Sequence, residues 1–389
     1  MQSDINLIIL GGGCAGLSLA LRLADNAQLN KKIVILEARA RYENDRTWCF
    51  WDTTCHRFEN LITKSWSKML IRSDQLNTIA ECSKTPYQML EAERFYAYAL
   101  EKIRSCPNIK LCLGEYISNK PIKRNNQWHI QTDKSVLAAD YVVDTRPEQN
   151  SKLNSTMLWQ SFLGHEVECD SAVFDDSTVQ LMDFLPNFDT NVHFSYLLPI
   201  SQTRALIETT VFGPSRINAE MLSKLQTVNL QRICKSVGFK IKRTEHGILP
   251  MDVARSAGIS DPSYVRTGLF HGGARPSSGY AFQRIQRWAD TCALAICNNA
   301  PPCGHSPDSF TTHIMDKLFL KVLRASPEKG AHLFTRLFER VPPERIIRFM
   351  SDTGTLTDKL AVIFALPATL FIKHLMSNTK SVRVKGGAV

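Results

Sequence analysis

The chain has 389 residues, more than the roughly 250 to 300 at which one hydrophobic core usually stops growing, so two packed domains are expected. With 44% hydrophobic and 22% charged residues, a disordered, fibrous or disulfide-scaffold protein is excluded. The net charge of +10 indicates an anionic partner, either nucleic acid or an acidic membrane surface. Because zinc-finger spacing and RNA-binding signatures are missing, nucleic acid is not expected.

The eleven cysteines are scattered and none forms a CxxC pair, so we expect reduced thiols and neither a disulfide framework nor a metal site. The N-terminal residues MQSDINLIIL lead straight into a strand pattern without the basic region or cleavage site of a signal peptide. Both features predict a cytoplasmic location.

The first predicted elements are a buried strand at 5–10, a helix at 15–23 that follows three glycines, and a second buried strand at 33–36. The next predicted elements are a helix at 89–103, a strand at 110–113, and an antiparallel pair at 122–132 and 135–143 that ends in the buried DYVVD of 140–144.

Residues 180–212 alternate polar and apolar side chains, which predicts antiparallel strands of a second, substrate-side sheet. Residues 267–295 return to strand, glycine-rich turn and helix, and the chain is helical beyond residue 308. The apolar stretch 360–376 contains Pro367 and falls short of the ~20 apolar residues of a spanning helix. It predicts a helix against a membrane surface or in the core.

A glycine motif follows the first strand. Gly11, Gly13 and Gly16 fit GxGxxG, in which the glycines allow a tight turn, close approach of the backbone to a pyrophosphate, and close helix packing. Glu37 ends the second strand, where a carboxylate can bind the ribose hydroxyls of an adenosine. Together these residues predict dinucleotide binding.

The kind of dinucleotide follows from the rest of the chain. An NAD dehydrogenase would continue in strand and helix units, whereas this chain turns to antiparallel sheet after about residue 110, which favours a flavin-type fold. The glycine-rich residues 268–282 precede another helix and could bring backbone amides to the flavin. The alternative for this turn is a plain structural loop.

Short motifs run in order along nearly the whole chain. They are GGGCAGLSLA, NDRTWCFW at 44–51, VVDTRP at 142–147, WQSFLGHEVE at 159–168, LMDF at 181–184, FSYLLP at 194–199, ALIETT at 205–210, EHGILPM at 245–251, GGARPSSGYAFQRIQ at 272–286, IMDKLFL at 314–320 and LFTRLFERVPPERIIRFM at 333–350. In this combination the chain resembles the bacterial lycopene cyclases, the ring-forming branch of the FAD-binding superfamily.

The resemblance implies an α/β fold: a Rossmann-like FAD-binding domain of the flavoprotein monooxygenase or reductase type, an antiparallel-sheet substrate domain and a helical C-terminal part. The predicted domains are 1–150 with 245–300 for FAD, 151–244 for substrate, and 301–389 as a helical region that could contact a membrane. The residues predicted to bind FAD are Gly11, Gly13, Cys14, Ala15, Gly16, Glu37, Arg46, Asp144, Gly272, Gly273, Ser278 and Gly279.

The implied activity is an isomerase reaction, in which protonation of an acyclic end of lycopene forms a carbocation that closes to a β-ionone ring. The resemblance also implies reduced FAD, with NAD(P)H as reductant, and no net redox change. An apolar pocket raises the pKa of a glutamate, which keeps it protonated as an acid. Glu208 is the candidate, because it matches the first glutamate of the family's FLEET or LIEDT motif. Thr209 stands where the family usually has a second acid.

Other residues in the resembling stretches have open roles. Asp183, Glu245 and Asp316 could complete a proton path or form structural hydrogen bonds. Seven aromatic residues could line a polyene tunnel or belong to the core: Trp48, Phe50, Trp51, Trp159, Phe194, Tyr196 and Tyr280.

Lycopene is insoluble in water, so such an enzyme must take it from a bilayer. The basic tail with Lys380, Arg383 and Lys385, together with the apolar stretch 360–376, suits peripheral attachment to anionic lipid at the inner face of the cell membrane. Solvated charge and a core helix are the alternatives. Two other functions also stay open: an FAD monooxygenase or prenyl or carotenoid reductase, and a non-catalytic prenyl-binding protein.

Overall fold

The structure, a computed structural model, describes residues 5–26, 29–53, 56–147, 157–185, 190–252 and 261–382, with side chains to residue 375. The strands are β1 Leu7–Leu10, β2 Ile33–Glu37, β3 Thr47–Trp51, β4 Lys64–Trp66, β5 Lys68–Arg72, β6 Asn77–Glu81, β7 Tyr87–Glu91, β8 Ile109–Leu113, β9 Ile122–Arg124, β10 Gln127–Gln131, β11 Val136–Ala139, β12 Tyr141–Asp144, β13 Leu158–Cys169, β14 Thr178–Phe184, β15 Val192–Pro199, β16 Arg204–Gly213, β17 Phe239–Met251 and β18 Tyr264–Arg266. The α-helices are α1 Cys14–Ala24, α2 Ala92–Arg104, α3 Ala219–Cys234, α4 Phe282–Cys297, α5 Phe310–Ala325, α6 Gly330–Arg340, α7 Pro343–Met350, α8 Leu356–Ala365 and α9 Ala368–Val382.

A parallel sheet of five strands forms the first layer, in the order β18-β12-β1-β2-β8. Successive side chains of a strand point to opposite faces. Leu7 and Ile9 therefore pack against α1, α2 and α4, while Ile8 and Leu10 pack against the small antiparallel sheet β11-β10-β9. Cover on both faces explains why β1 and β2 are apolar without alternation. The predicted strand, turn, helix and strand of the first 37 residues are confirmed.

Two local predictions were right only in part. The antiparallel pair predicted at 122–132 and 135–143 is confirmed where β10 pairs with β11, but its last residues are wrong, because Tyr141–Asp144 pairs in parallel with Leu7–Leu10. The helix predicted from residue 89 begins at Ala92, because Tyr87–Glu91 is a buried strand that pairs with β3 and β4 on its two sides.

A seven-stranded sheet forms the second layer, in the order β17-β13-β16-β15-β14-β5-β6. Its antiparallel strands β14, β15 and β16 lie where residues 180–212 predicted them. The sheet also contains β5 and β6 from the N-terminal part of the chain. The domain boundary predicted at residue 245 falls inside β17, which pairs with β13 along its length. The division into domains stays a prediction.

The two faces of this sheet have different covers. On β16, Ala205 and Ile207 pack against α3, whereas Leu206 and Phe212 pack against the C-terminal helices. Because alternate residues share a face, Glu208 lies on the side of the C-terminal helices.

The helical C-terminal part is confirmed as α5 to α9. The apolar stretch 360–376 is divided between α8 and α9 at Leu366 and Pro367, as expected from the missing N–H of proline. Among the helices that the structure describes, none is long and apolar enough to cross a membrane. Of the basic tail, residues 383–389 and the side chain of Lys380 lie outside the described part.

Candidate active site

The glycine turn has three different steric requirements. Gly11 has a φ of +93°, in the left-handed region that favours glycine. A Cβ atom on Gly16 would lie 2.0 Å from the carbonyl oxygen of Gly11, so this position accepts only glycine. A Cβ on Gly13 would meet nothing within 4 Å. Open space therefore lies in front of Cys14 and Ala15, the first residues of α1, where a helix N-terminus favours an anion.

The carboxylate of Glu37 lies beside this turn. Its Oε2 accepts a hydrogen bond of 2.7 Å from the N–H of Gly12, and its Oε1 accepts bonds of 2.9 and 3.0 Å from the N and Nε atoms of Arg39. Burial opposes ionisation, but the bonds from Arg39 and Gly12 outweigh it and hold the pKa of Glu37 below its ordinary value. The group is an anion at neutral pH.

Asp144 ends β12 next to the same turn. Its carboxylate accepts two bonds of 2.9 Å from Arg146 and one of 2.7 Å from the hydroxyl of Tyr264. Between these residues, Thr145 donates its hydroxyl to the carbonyl of Gly11 at 3.0 Å. Asp144 thus orients the residues after β12 against the glycine turn.

The second glycine-rich segment reaches the same place. Gly268 has a φ of +83°, and a Cβ on it would lie 3.5 Å from the Cβ of Ala15. Gly272 has a φ of +93°, and Gly273 donates its N–H to the carbonyl of Gly268 at 2.9 Å. A tight turn therefore packs against the N-terminus of α1.

The remaining predicted cofactor residues extend from this point towards the second sheet. Arg46 forms an ion pair of 2.8 Å with Asp45 and interacts electrostatically with Cys14. Gly279 has a φ of +72°, and a Cβ on it would lie 2.7 Å from Oε1 of Gln160. Ser278 lies in the wall of the apolar cavity described below.

Glu208 is half-buried by accessible area and lies within the protein, on the face of the second sheet that the C-terminal helices cover. Burial, followed by repulsion from Glu245, raises the pKa of Glu208 to about 8. Thr210, on the same face of β16, donates its hydroxyl to Oε1 of Glu208 at 2.6 Å. Glu208 is therefore mainly protonated at neutral pH.

Thr209 and Asp183 lie on the face of the second sheet opposite to Glu208. Thr209 points to the opposite side of the sheet from Glu208, where its hydroxyl bonds Oε1 of Gln226 at 2.5 Å and accepts from Asn229 at 3.1 Å. Asp183 lies on that side as well and accepts a bond of 2.7 Å from Arg232. Neither residue is brought to Glu208, and a carboxylate in place of Thr209 would face α3.

Three of the seven predicted aromatic residues line an apolar cavity of about 450 Å³ between Glu208's face of the sheet and the C-terminal helices. They are Trp51, Tyr196 and Tyr280. Tyr196 lies directly opposite Glu208 on the neighbouring strand, which places the carboxyl next to the cavity wall. Trp48 and Phe50 instead pack on Phe282 in the core, and Asp316, on the cavity wall, is paired with Arg275.

The cavity opens where apolar side chains face solvent. Ile314, Ile363, Ile372 and Leu375 line it and are also exposed, and Phe364 is exposed beside them on α8. Lys317 and Lys373, on the helices α5 and α9, are exposed as well. We call the five apolar residues Ile314, Ile363, Phe364, Ile372 and Leu375 the mouth patch.

Sequence reasoning missed Gly164, Arg243 and Thr47, which lie around Glu245. Gly164 interrupts an otherwise strand-like stretch, and an isolated glycine in a strand indicates close approach of a neighbour. That signal could have found it. Arg243 and Thr47 come together only through the fold, since they are 196 residues apart and bond at 2.8 Å.

Solved structures share this architecture. A geranylgeranyl bacteriochlorophyll reductase-like protein from Thermoplasma acidophilum superimposes with a TM-score of 0.62 at 14% identity, covering 96% of this chain and 99% of that one. The flavin-dependent brominase Bmp2 gives 0.63 at 9% identity over 97% and 99%. These likenesses confirm the predicted Rossmann-like fold of flavoprotein monooxygenases and reductases.

Sequence comparison identifies the branch. A lycopene beta-cyclase of Pantoea ananas is 25% identical over 94% of this chain and 96% of its own length. A second, from Paracoccus sp. (strain N81106 / MBIC 01143), is 26% identical over 59% of this chain and 62% of its own length. The sequence model of the lycopene cyclase protein family matches residues 6–376. The chain therefore belongs to the lycopene cyclase family.

Proposed function

We propose that the protein is a lycopene β-cyclase, which converts the acyclic ends of lycopene to β-ionone rings and so forms γ-carotene and β-carotene by acid and base chemistry. The observation that carries the proposal is Glu208: a carboxyl group with a raised pKa, beside an apolar cavity, in a chain of this family. No net oxidation or reduction of the substrate is needed, so the reaction is an isomerisation.

The residues around the two glycine turns fit FAD. Open space at Gly13 and the N-terminus of α1 suits the pyrophosphate, and a ribose hydroxyl at Glu37 would replace the long bond of 3.3 Å from Nη2 of Arg39. Gly268–Gly273, with Ser278, Gly279 and Arg46, would hold the flavin end. Bound in the reduced form, which NAD(P)H would regenerate, FAD would supply negative charge close to a cationic intermediate.

Glu208 supplies the proton. Since Thr210 occupies Oε1, the acidic proton resides at Oε2 and is transferred to the terminal alkene of lycopene. A neighbouring double bond then attacks the tertiary cation, and the ring cation loses a proton to the carboxylate of Glu208 that the first step left, so that the acid is regenerated and no proton is consumed overall. The cavity wall is mainly apolar and offers water few hydrogen-bond partners, and the rings of Trp51, Tyr196 and Tyr280 offer cation–π contacts.

The test is to express the chain in cells that accumulate lycopene and to analyse the pigments by chromatography. Cyclic carotenes are expected. Persistence of lycopene, with the protein folded and loaded with flavin, would overturn the proposal.

A reductase or monooxygenase is the second candidate, because the solved structures with this fold include a reductase-like protein and p-nitrophenol 4-monooxygenase PnpA. Such an enzyme consumes one hydride for each product, whereas a cyclase consumes none in the ring closure. Measuring NAD(P)H consumption against product separates them. A non-catalytic prenyl-binding protein would purify without flavin absorbance.

Cyclisation is expected to depend on pH through Glu208. Because the acid form is active and its pKa is raised to about 8, the rate should be constant at neutral pH and fall as the pH rises through this value. The measurement is the initial rate across this range with the flavin fully reduced by dithionite, which removes any pH dependence of NAD(P)H oxidation. A flat alkaline profile would contradict the assignment of Glu208.

The mouth patch would place the cavity opening against a membrane. Apolar side chains that line the cavity continue onto the surface, so lycopene could pass from lipid into the cavity without crossing water. The exposed lysines beside the patch suit anionic headgroups. We therefore propose peripheral attachment through α8 and α9.

Aspartate at the mouth patch is expected to weaken membrane binding. Phe364 is 78% and Ile372 52% exposed in the structure, so Phe364→Asp and Ile372→Asp should leave the fold intact. Each removes about 1.5–3 kcal/mol of apolar burial in lipid, roughly tenfold or more in affinity. Sedimentation with anionic vesicles measures the membrane affinity. Leu294→Asp, at a residue 64% exposed on α4, is the matched control and should bind as wild type. Equal binding by wild type and all three variants would exclude the mouth patch as the membrane contact.

A further inference from the structure

Two glutamates of the second sheet lie on either side of a glycine. Glu208 on β16 and Glu245 on β17 both pair with Gly164 on the intervening strand β13, so all three lie in one row on one face. A Cβ on Gly164 would lie 3.1 Å from Cγ of Glu245 and 3.6 Å from Cβ of Glu208. Because Gly164 has no side chain, no residue of the row itself stands between the two glutamates, and the other group that approaches this space is Cδ1 of Leu206, 3.3 Å from the position of a Cβ on Gly164.

The two carboxyl groups have unequal hydrogen-bond donors. Glu245 accepts bonds of 2.6 Å from Nη1 of Arg243 and 2.9 Å from the hydroxyl of Thr47, whereas Glu208 has the hydroxyl of Thr210. An arginine stabilises a carboxylate far more than a hydroxyl does. When two carboxyl groups meet in unequal environments, the better-supported one ionises first. Burial raises the pKa of Glu245 above its ordinary value, and Arg243 opposes that rise. Because Glu208 has no such cation beside it, Glu245 ionises first and Glu208 is the protonated member of the pair.

Four of the other titratable groups near Glu208 are neutral, and the carboxylate of Glu166, in the next row of β13, is paired with Arg204 and Arg243. Burial raises the pKa of the Cys49 thiol on β3 and of the phenols of Tyr87 on β7, Tyr196 on β15 and Tyr280 before α4. Two cations interact with Glu245, Arg243 on β17 and Arg46 before β3. Glu245 is thus the anion that faces Glu208 among these groups.

We propose that Glu245 is the second carboxylate of the active site, an ionised positioning residue that acts across Gly164 to keep Glu208 protonated. The inference rests on the proposed cyclase function. It also places the second acid on β17, on the far side of β13 from Glu208, instead of at position 209, where Thr209 faces α3.

The test is Glu245→Gln in the full-length protein loaded with reduced FAD. Without the anion, the alkaline limb of the rate profile should move down by about one pH unit or more, with the rate at low pH retained within a few-fold. Arg243 keeps a partner in Glu166 at 3.0 Å, so the variant should fold. Glu168→Gln, at an exposed carboxylate on β13 that pairs with Lys242, is the control and should keep the wild-type profile. An unchanged profile in Glu245→Gln would overturn the proposal.

An infrared titration reads the same effect without activity. The protonated carboxyl band that is lost in Glu208→Gln should disappear at lower pH in Glu245→Gln than in wild type, and an unmoved band counts against the pair. If lycopene is not cyclised but the band moves, the cyclase function fails and the coupling stands. Should Glu245→Gln fail to fold, Glu245→Asp, whose shorter side chain withdraws the negative charge from Glu208, should shift the band in the same direction by less; no shift would again overturn the proposal.

Discussion

Replacing Glu208 with glutamine is expected to reduce cyclisation by about 10²–10⁴-fold, the usual contribution of a general acid. Glutamine has the same shape but no acidic proton. The fold should persist, because the raised pKa of Glu208 means that its protonated form is the one suited to the buried site. In wild type, the stabilising contribution of Glu208 is complete below its unfolded pKa of about 4.3 and is lost as the pH rises through about 8. Glu208→Gln should remove this pH dependence.

Pigment chromatography of lycopene-accumulating cells measures the loss of activity, and visible absorbance of the purified variant measures its flavin content. Glu168→Gln, a change at an exposed glutamate, should cyclise as wild type. Wild-type turnover by Glu208→Gln would remove this residue from the proton transfer.

The second large effect is expected from a matched pair of glycine substitutions. Gly16→Ala places a methyl group 2.0 Å from the carbonyl oxygen of Gly11, a backbone atom that cannot move away, so the loss of stability should exceed about 3 kcal/mol. Gly13→Ala places the same group where no protein atom lies within 4 Å, so stability should change by no more than about 1 kcal/mol. Its methyl group would enter the space proposed for the pyrophosphate, so FAD affinity should fall at least about tenfold.

Thermal unfolding of the apoprotein and titration with FAD separate the two effects. Gly13→Ala should unfold like wild type but retain little flavin on dilution, whereas Gly16→Ala should be unstable with or without FAD. If Gly13→Ala binds FAD as tightly as wild type, the pyrophosphate does not lie above Gly13.

The predictions from sequence succeeded where the physical cause is local. The turn at Gly11 and the packing of Gly16 depend on residues close in sequence, and the spacing of GxGxxG contains that requirement. The strands near residues 180–212 were recognisable because one alternation of polar and apolar residues reports a sheet with distinct faces. Helix and strand were confused at 89–91, because the short buried run of β7 has no distinctive period.

The sequence by itself determined the FAD-type fold, the family and the choice of Glu208 as the candidate acid. Only the tertiary structure decided which carboxylate is its neighbour. Thr209 adjoins Glu208 in sequence but points to the other face, because successive residues of a strand alternate. Glu245 is 37 residues away in sequence yet shares its row, because β13 pairs with both strands. The raised pKa of Glu208 likewise follows from burial and from a charge on another strand, which no local pattern can contain.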